Sequence, residues 1–149
     1  MKKFVPYLPY IIFVLSLIST LASLYFSEVM KLVPCILCWY QRICMYPLVA
    51  ISAVGILKKD KYLPYYILPL SLIGFSIALY HNLLYYHIIP ESIAPCQAGI
   101  SCTTRQLEWF GFFTIPLGSF IAFTFINICT IIYALSLQDH KVTKQSTKL

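Results

Sequence analysis

The chain has 149 residues, of which 60% are hydrophobic and only 11% charged, and its mean hydropathy is +0.79. This excess of apolar side chains excludes an ordinary soluble domain. A net charge of +6 would suit a nucleic-acid-binding protein, but the basic residues lie at the ends of apolar runs and form no single patch, so they indicate membrane orientation and no nucleic acid.

A membrane span needs about 20 apolar residues to cross about 30 Å of hydrocarbon, so this length allows four spans and no separate soluble domain. We therefore predict an all-α membrane protein, a four-transmembrane-helix bundle with two short loops that carry cysteines. The chain is interpreted as a single membrane domain, 1–149, with spans at about 7–27, 38–57, 65–87 and 112–137 and a basic tail at 138–149.

The first span is longer than the apolar core of 7–15 residues found in signal peptides, which favours a membrane anchor over a cleaved leader. Small polar residues recur along it at helical spacing, and we interpret them as a helix-packing face: Ser16, Ser19, Thr20 and Ser23.

The second span opens on Pro34-Cys-Ile-Leu-Cys-Trp-Tyr-Gln-Arg42, which has two thiols three residues apart. A helix that begins near Pro34 tolerates the missing N–H of proline and places Cys35 and Cys38 in its first turns. Free N–H groups and the helix dipole stabilise a thiolate there. Arg42 follows one turn later, where it can favour an anion beside Cys38 or bind an oxygen-bearing cofactor.

A CxxC pair is also half of a zinc site or a structural disulfide. Zinc motifs usually lie on polar turns of small soluble domains. This pair instead adjoins Trp39, Tyr40 and a long apolar run, as residues at a membrane interface do. The setting favours a redox dithiol.

The third span carries Ser71, Gly74 and Ala78 at helical spacing, which predicts a packing face. His81 lies near its far end. An intramembrane histidine is a candidate for proton transfer or cofactor contact, with a packing histidine as the alternative.

Asn127 in the fourth span is expected to hydrogen-bond another helix, and Cys44 and Cys129 are expected to behave as small core residues.

A second cysteine pair, Cys96 and Cys102, lies in the longest polar region, with five residues including Gly99 between the two. So small a ring on a loop is expected to be accessible and reducible, with a structural clip as the alternative.

The positive-inside rule sets the orientation. The lysines of one side of the predicted topology are Lys2, Lys3, Lys58, Lys59, Lys61, Lys141, Lys144 and Lys148, whereas the other side has only Lys31, Arg42 and Arg105. Both termini are therefore predicted in the cytoplasm and both cysteine pairs on the extracytoplasmic face, where disulfides persist.

Two thiol pairs on one membrane face suggest a relay in which electrons enter at the loop pair and leave at the membrane. The final acceptor must be soluble in lipid. A quinone fits, because it is apolar and its carbonyl oxygens accept hydrogen bonds from a group such as Arg42.

The sequence Cys35-Ile-Leu-Cys-Trp-Tyr-Gln-Arg42, followed by an outer-loop cysteine pair and four spans, resembles the DsbB/BdbC disulfide bond formation proteins. The resemblance implies a quinone-dependent thiol oxidase of the bacterial plasma membrane that reoxidises a thioredoxin-like partner of the DsbA/BdbD type. It implies that the partner attacks Cys96, that Cys102 is the resolving cysteine, and that Cys38 contacts a quinone held by Arg42.

The close spacing of the loop pair resembles the Gram-positive BdbC branch and favours menaquinone over ubiquinone.

Three rival interpretations remain. A vitamin K epoxide reductase-like enzyme would have its CxxC near the end of a late span, whereas here the motif opens the second. A small four-helix membrane scaffold would hold purely structural disulfides. A zinc site would use the four outer cysteines, Cys35, Cys38, Cys96 and Cys102. We predict no metal.

Overall fold

The computed structural model describes residues 5–90, 108–109 and 113–146. The long helices are α1 (Leu8–Leu24), α2 (Ile36–Lys58), α3 (Leu63–Tyr85) and α4 (Ile115–Ser146). A 3-10 turn, Val5–Tyr7, precedes α1, and a π-helical turn, Tyr25–Val29, continues it. Two very short strands, β1 (Glu108–Trp109) and β2 (Phe113–Thr114), pair antiparallel before α4.

Within the described residues, four helical segments are long and apolar enough to cross a membrane: Val5–Val29, Ile36–Lys58, Leu63–Tyr85 and Ile115–Gln138. Each helix packs against its neighbour along the chain, and α1 also packs against α4, which closes the bundle. The predicted four-helix membrane fold is therefore confirmed.

All four helices contribute to one core, in which Ile12, Leu48, Ile67 and Phe123 are fully buried. Large apolar side chains also cover the outside of the bundle. Leu57, for example, is 83% exposed. So much exposed apolar surface is unfavourable in water but not in contact with lipid chains. The outer face of the bundle therefore suits a bilayer.

The small-residue face predicted on α3 packs against α4. The hydroxyl of Ser71 donates to Oδ1 of Asn127 at 2.8 Å, and Nδ2 of Asn127 donates to the carbonyl of Ser71 at 3.2 Å. Gly74 lies directly against the ring of Phe123, and a Cβ at position 74 would overlap that ring. The interhelical role predicted for Asn127 is confirmed.

Helix α4 is longer than the fourth span it contains, Ile115–Gln138. It begins at Ile115, so Pro116 lies in the first turn, where a proline needs no N–H partner. It also continues to Ser146, through residues predicted as tail. Residues 138–146 contain neither glycine nor proline, so nothing in this stretch stops the helix.

Candidate active site

Cys35 is the N-cap of α2. Its backbone is extended (φ −70°, ψ 167°), and its sulfur accepts a hydrogen bond from the backbone N–H of Cys38 at 3.3 Å. A sulfur thus takes the position that a serine or aspartate oxygen usually occupies at a helix start. The two sulfurs lie 2.8 Å apart. The predicted dithiol at a helix start is therefore present in the structure.

Several donors converge on the sulfur of Cys35. The hydrogen bond from the Cys38 thiol has the largest effect and, with His81 and the Cys38 N–H, lowers the pKa of Cys35 to about 4, although burial opposes the shift. Cys35 is only 7% exposed. At neutral pH the sulfur of Cys35 therefore carries a negative charge in the reduced pair.

His81 reaches this pair from α3. Its Nε2 lies 3.8 Å from the sulfur of Cys35, and its Nδ1 lies 3.1 Å from the side-chain nitrogen of Gln41. The imidazole is fully buried. The sequence identifies His81 as a candidate for proton transfer or cofactor contact, and the structure places it beside Cys35.

A cavity of about 380 Å³ lies between α1, α2 and the first turns of α4. Its walls are mostly apolar. The polar groups that α2 contributes include Cys38, Gln41 and Arg42. Neither Cys35 nor His81 is among the lining residues, so the two cysteines of the motif have different surroundings.

Arg42 spans the gap between two helices at the cavity wall. Its Nη2 donates to the carbonyl of Ser23 on α1 at 2.9 Å, and its guanidinium lies 5.5 Å from the ring centroid of Trp39. Ser19 and Ser23 also line the cavity. Part of the polar face of α1, interpreted from sequence as a helix-packing surface, therefore borders this space.

The other cysteines divide into two groups. Cys44 is buried in the core and Cys129 packs against it, as predicted for small core residues. Cys96 and Cys102 lie outside the described residues. The role of the loop pair stays a prediction.

Gln41 belongs to this site, although sequence reasoning treated it only as part of the motif. It is 6% exposed, contacts His81 and lines the cavity. A buried amide within an apolar span is costly unless it is hydrogen-bonded. A glutamine at this position of the second span therefore indicates, from the sequence, a residue with a specific polar partner.

The ligand atoms of Cys35, Cys38 and His81 lie within 4.8 Å of one another, so a thiophilic metal would compete with thiol chemistry at this place.

The comparison with known proteins shows the family to which the chain belongs. The sequence profile described as "Disulfide bond formation protein DsbB" matches residues 7–133, most of the chain. The chain belongs to the DsbB family. Membership implies a disulfide oxidoreductase that acts in disulfide bond formation, in a family that uses quinones and a thiol oxidase partner.

Several Bacillus proteins resemble this DsbB-family chain. "Disulfide bond formation protein C" of Bacillus subtilis (strain 168) is 46% identical over 110 residues, which cover 72% of this chain and 78% of the relative. "Probable disulfide formation protein C 1" of Bacillus anthracis is 46% identical over 114 residues, or 76% of this chain and 81% of the relative. The resemblance to the BdbC branch is thereby confirmed. No solved structure matches the chain.

The first prediction concerns the charge of Cys35. We expect the reduced DsbB-family protein to keep a thiolate absorbance near 240 nm at pH 6, with a midpoint near 4, because three donors surround this sulfur. An absorbance titration measures it. Cys35→Ser should remove the acidic transition and keep the helix start, since serine is a good N-cap.

Replacing His81 by alanine should lower the ratio of Cys35 thiolate to thiol at a given pH by roughly tenfold. A titration identical in wild type and Cys35→Ser would show that the acidic thiolate is not Cys35.

Proposed function

We propose that this protein is a membrane thiol:quinone oxidoreductase that reoxidises an extracytoplasmic thioredoxin-like thiol oxidase of the DsbA/BdbD type. It thereby supports disulfide formation in exported proteins. The observation that carries the proposal is that the two cysteines of the CxxC motif have different surroundings. Cys38 lines an apolar cavity, and Cys35 does not. One sulfur meets a lipid-soluble acceptor, and the other is left for exchange with protein thiols.

The cavity fits a quinone. A volume of about 380 Å³ is in the range of small-molecule sites, and such sites combine apolar walls with a few placed polar groups. Arg42 supplies guanidinium donors, which suit carbonyl oxygens. Cys38 would contact the ring and Arg42 would hold it. When bound, a quinone would serve as a two-electron acceptor. Cys35 and Cys38 would give up two electrons as they form their disulfide, the Cys38 thiol would supply one proton, and water would supply the second.

Thiol exchange delivers the electrons to this pair. A partner thiolate attacks the Cys96–Cys102 disulfide at Cys96, which forms a mixed disulfide and releases Cys102 as a thiolate. Cys102 then attacks the sulfur of Cys35 in the Cys35–Cys38 disulfide. This step forms a Cys102–Cys35 disulfide and leaves Cys38 as a thiolate at the cavity wall.

The second half of the exchange regenerates the loop disulfide. The partner's other thiol attacks its mixed disulfide and frees Cys96, which displaces Cys35 from Cys102. The partner is then oxidised by two electrons, and Cys35 and Cys38 are reduced by two. The low pKa of Cys35 makes it a good leaving group in the last step.

The length of α2 supports the proposed orientation. Cys35 caps one end, and Lys58 and Lys59 mark the other. A helix of 23 residues is about 35 Å long, which matches a bilayer core. The cysteines and this lysine cluster thus belong on opposite faces. We place the lysines and both termini in the cytoplasm of a bacterial cell and both cysteine pairs outside.

The test is quinone reduction by the purified protein in detergent. A reduced thioredoxin-like dithiol protein serves as donor, and menaquinone and ubiquinone analogues serve as acceptors, followed optically. We expect turnover with both and a lower KM for the menaquinone analogue, since the similarity to the BdbC branch favours it.

Absence of turnover with several donors, together with outer cysteines that resist reductant in the folded protein, would overturn the proposal. That result would favour the membrane scaffold with structural disulfides.

A further inference from the structure

Gln41 connects the two halves of the site. Its side chain lies 3.1 Å from Nδ1 of His81 and also lines the cavity that Cys38 borders. His81 in turn has its Nε2 3.8 Å from the sulfur of Cys35. The chain of contacts runs from α2 to α3 and back to the start of α2, and all three residues are buried.

An imidazole has two distinct nitrogens, and the group bound at one nitrogen decides what the other presents. An amide N–H that donates to Nδ1 leaves the proton of the neutral ring on Nε2. That proton then faces the sulfur of Cys35. Without a hydrogen bond donated to Nδ1, the neutral ring could carry its proton on Nδ1 instead, and Nε2 would then present a lone pair to the sulfur.

We propose that Gln41 is a positioning residue, which binds Nδ1 of His81 and thereby directs the Nε2–H of the histidine at the sulfur of Cys35. His81 stabilises the Cys35 thiolate that exchanges with the loop cysteines. Gln41 keeps His81 in the tautomer and orientation needed for this hydrogen bond. Orienting groups of this kind commonly support a reacting imidazole.

The groups around Cys35 limit the routes by which a substitution at Gln41 can affect its sulfur. In the described part of the chain, the titratable side chains within hydrogen-bonding distance of the Cys35 sulfur are Cys38 on α2 and His81 on α3. Tyr80 of α3 packs against the apolar cluster to which Cys35 belongs. Leu37 and Leu84 belong to the same apolar cluster as Cys35, and Ile77 of α3 packs against it. A change at Gln41 that reaches Cys35 therefore has His81 as its direct route.

The test is a double-mutant cycle on the Cys35 titration. Gln41→Met keeps the length of the side chain and removes the hydrogen bond. We expect it to lower the ratio of Cys35 thiolate to thiol at a given pH about two- to tenfold, the range for one hydrogen bond. In a His81→Ala background the same substitution should change the ratio by less than about 1.5-fold, because the glutamine acts through the histidine.

Ser52→Ala is the matched control, since Ser52 is another fully buried polar residue of α2. Among the described residues, its hydroxyl bonds to the carbonyls of Leu48 and Val49 in its own helix. It should leave the titration unchanged. An equal effect of Gln41→Met with and without His81 would overturn the proposal in favour of a general packing role.

A second measurement needs no substitution at Gln41. The nitrogen chemical shifts of ¹⁵N-histidine-labelled, reduced wild-type protein report the tautomer, with the His81 signal assigned by its loss in His81→Ala. We expect the proton on Nε2. A proton on Nδ1 alone would overturn the proposal.

The inference rests on the proposed thiol exchange at Cys35. Both measurements need neither quinone nor partner, so their failure is distinct from a failure of quinone reduction.

Discussion

Cys38→Ser is expected to abolish quinone reduction. The Cys38 thiol lines the cavity and lies 2.8 Å from Cys35, so it is the sulfur through which electrons leave the pair. A serine hydroxyl forms no disulfide and supplies no thiolate. The turnover number with a reduced thioredoxin-like donor should fall by at least about a thousandfold, since a redox step with no substitute is removed.

Cys44→Ser is the matched control for this experiment. It makes the same substitution on the same helix, at a thiol buried in the core. We expect it to keep most of the turnover, with some loss of stability because a hydroxyl is harder to bury than a thiol. Near-normal turnover in Cys38→Ser would contradict the assignment of Cys38 to the quinone.

Arg42→Met is expected to raise the apparent KM for the quinone by roughly 10- to 100-fold, the range for a hydrogen bond to a charged donor. Methionine keeps an apolar stem at the cavity wall but removes the guanidinium. The KM for the thiol donor should change much less, because Arg42 borders the cavity and is not among the groups that lower the pKa of Cys35. Steady-state kinetics with each substrate varied in turn separate the two effects.

Arg42 also donates to the carbonyl of Ser23, so its loss could loosen α1 against α2. Thermal unfolding of the variant measures that contribution. Lys31→Met, which removes a cation predicted on the same membrane face, is the control for general electrostatics. Unchanged quinone kinetics in Arg42→Met would remove Arg42 from the proposed quinone site.

A metal ion bound by the reduced thiol pair would interfere with these assays. Cys35, Cys38 and His81 would attract a thiophilic ion once the pair is reduced. A chelator in the buffer keeps such binding from being mistaken for loss of redox activity. Family membership favours thiol chemistry at this place.

Local features of the chain were predictable because they depend on local physics. The four spans follow from apolar runs long enough to cross a bilayer, and the dithiol at a helix start follows from Pro34 and the spacing of Cys35 and Cys38. The expectation that Asn127 bonds to another helix followed from the cost of an unpaired amide in an apolar span, and the structure shows that this helix is α3. The resemblance of the CxxC segment to the DsbB family added the expected chemistry, and the family is confirmed.

Only the tertiary structure decided how these parts meet. His81 lies 46 residues from Cys35 in sequence, and the rotation of α3 against α2 sets their 3.8 Å separation. The same packing places Cys38 at the cavity wall and Cys35 beside His81. The helical repeat alone would only put both sulfurs on one face of α2. Hydropathy and spacing report which side chains share a helix face, but the faces that meet depend on how whole helices fit together, which is a property of the assembled bundle.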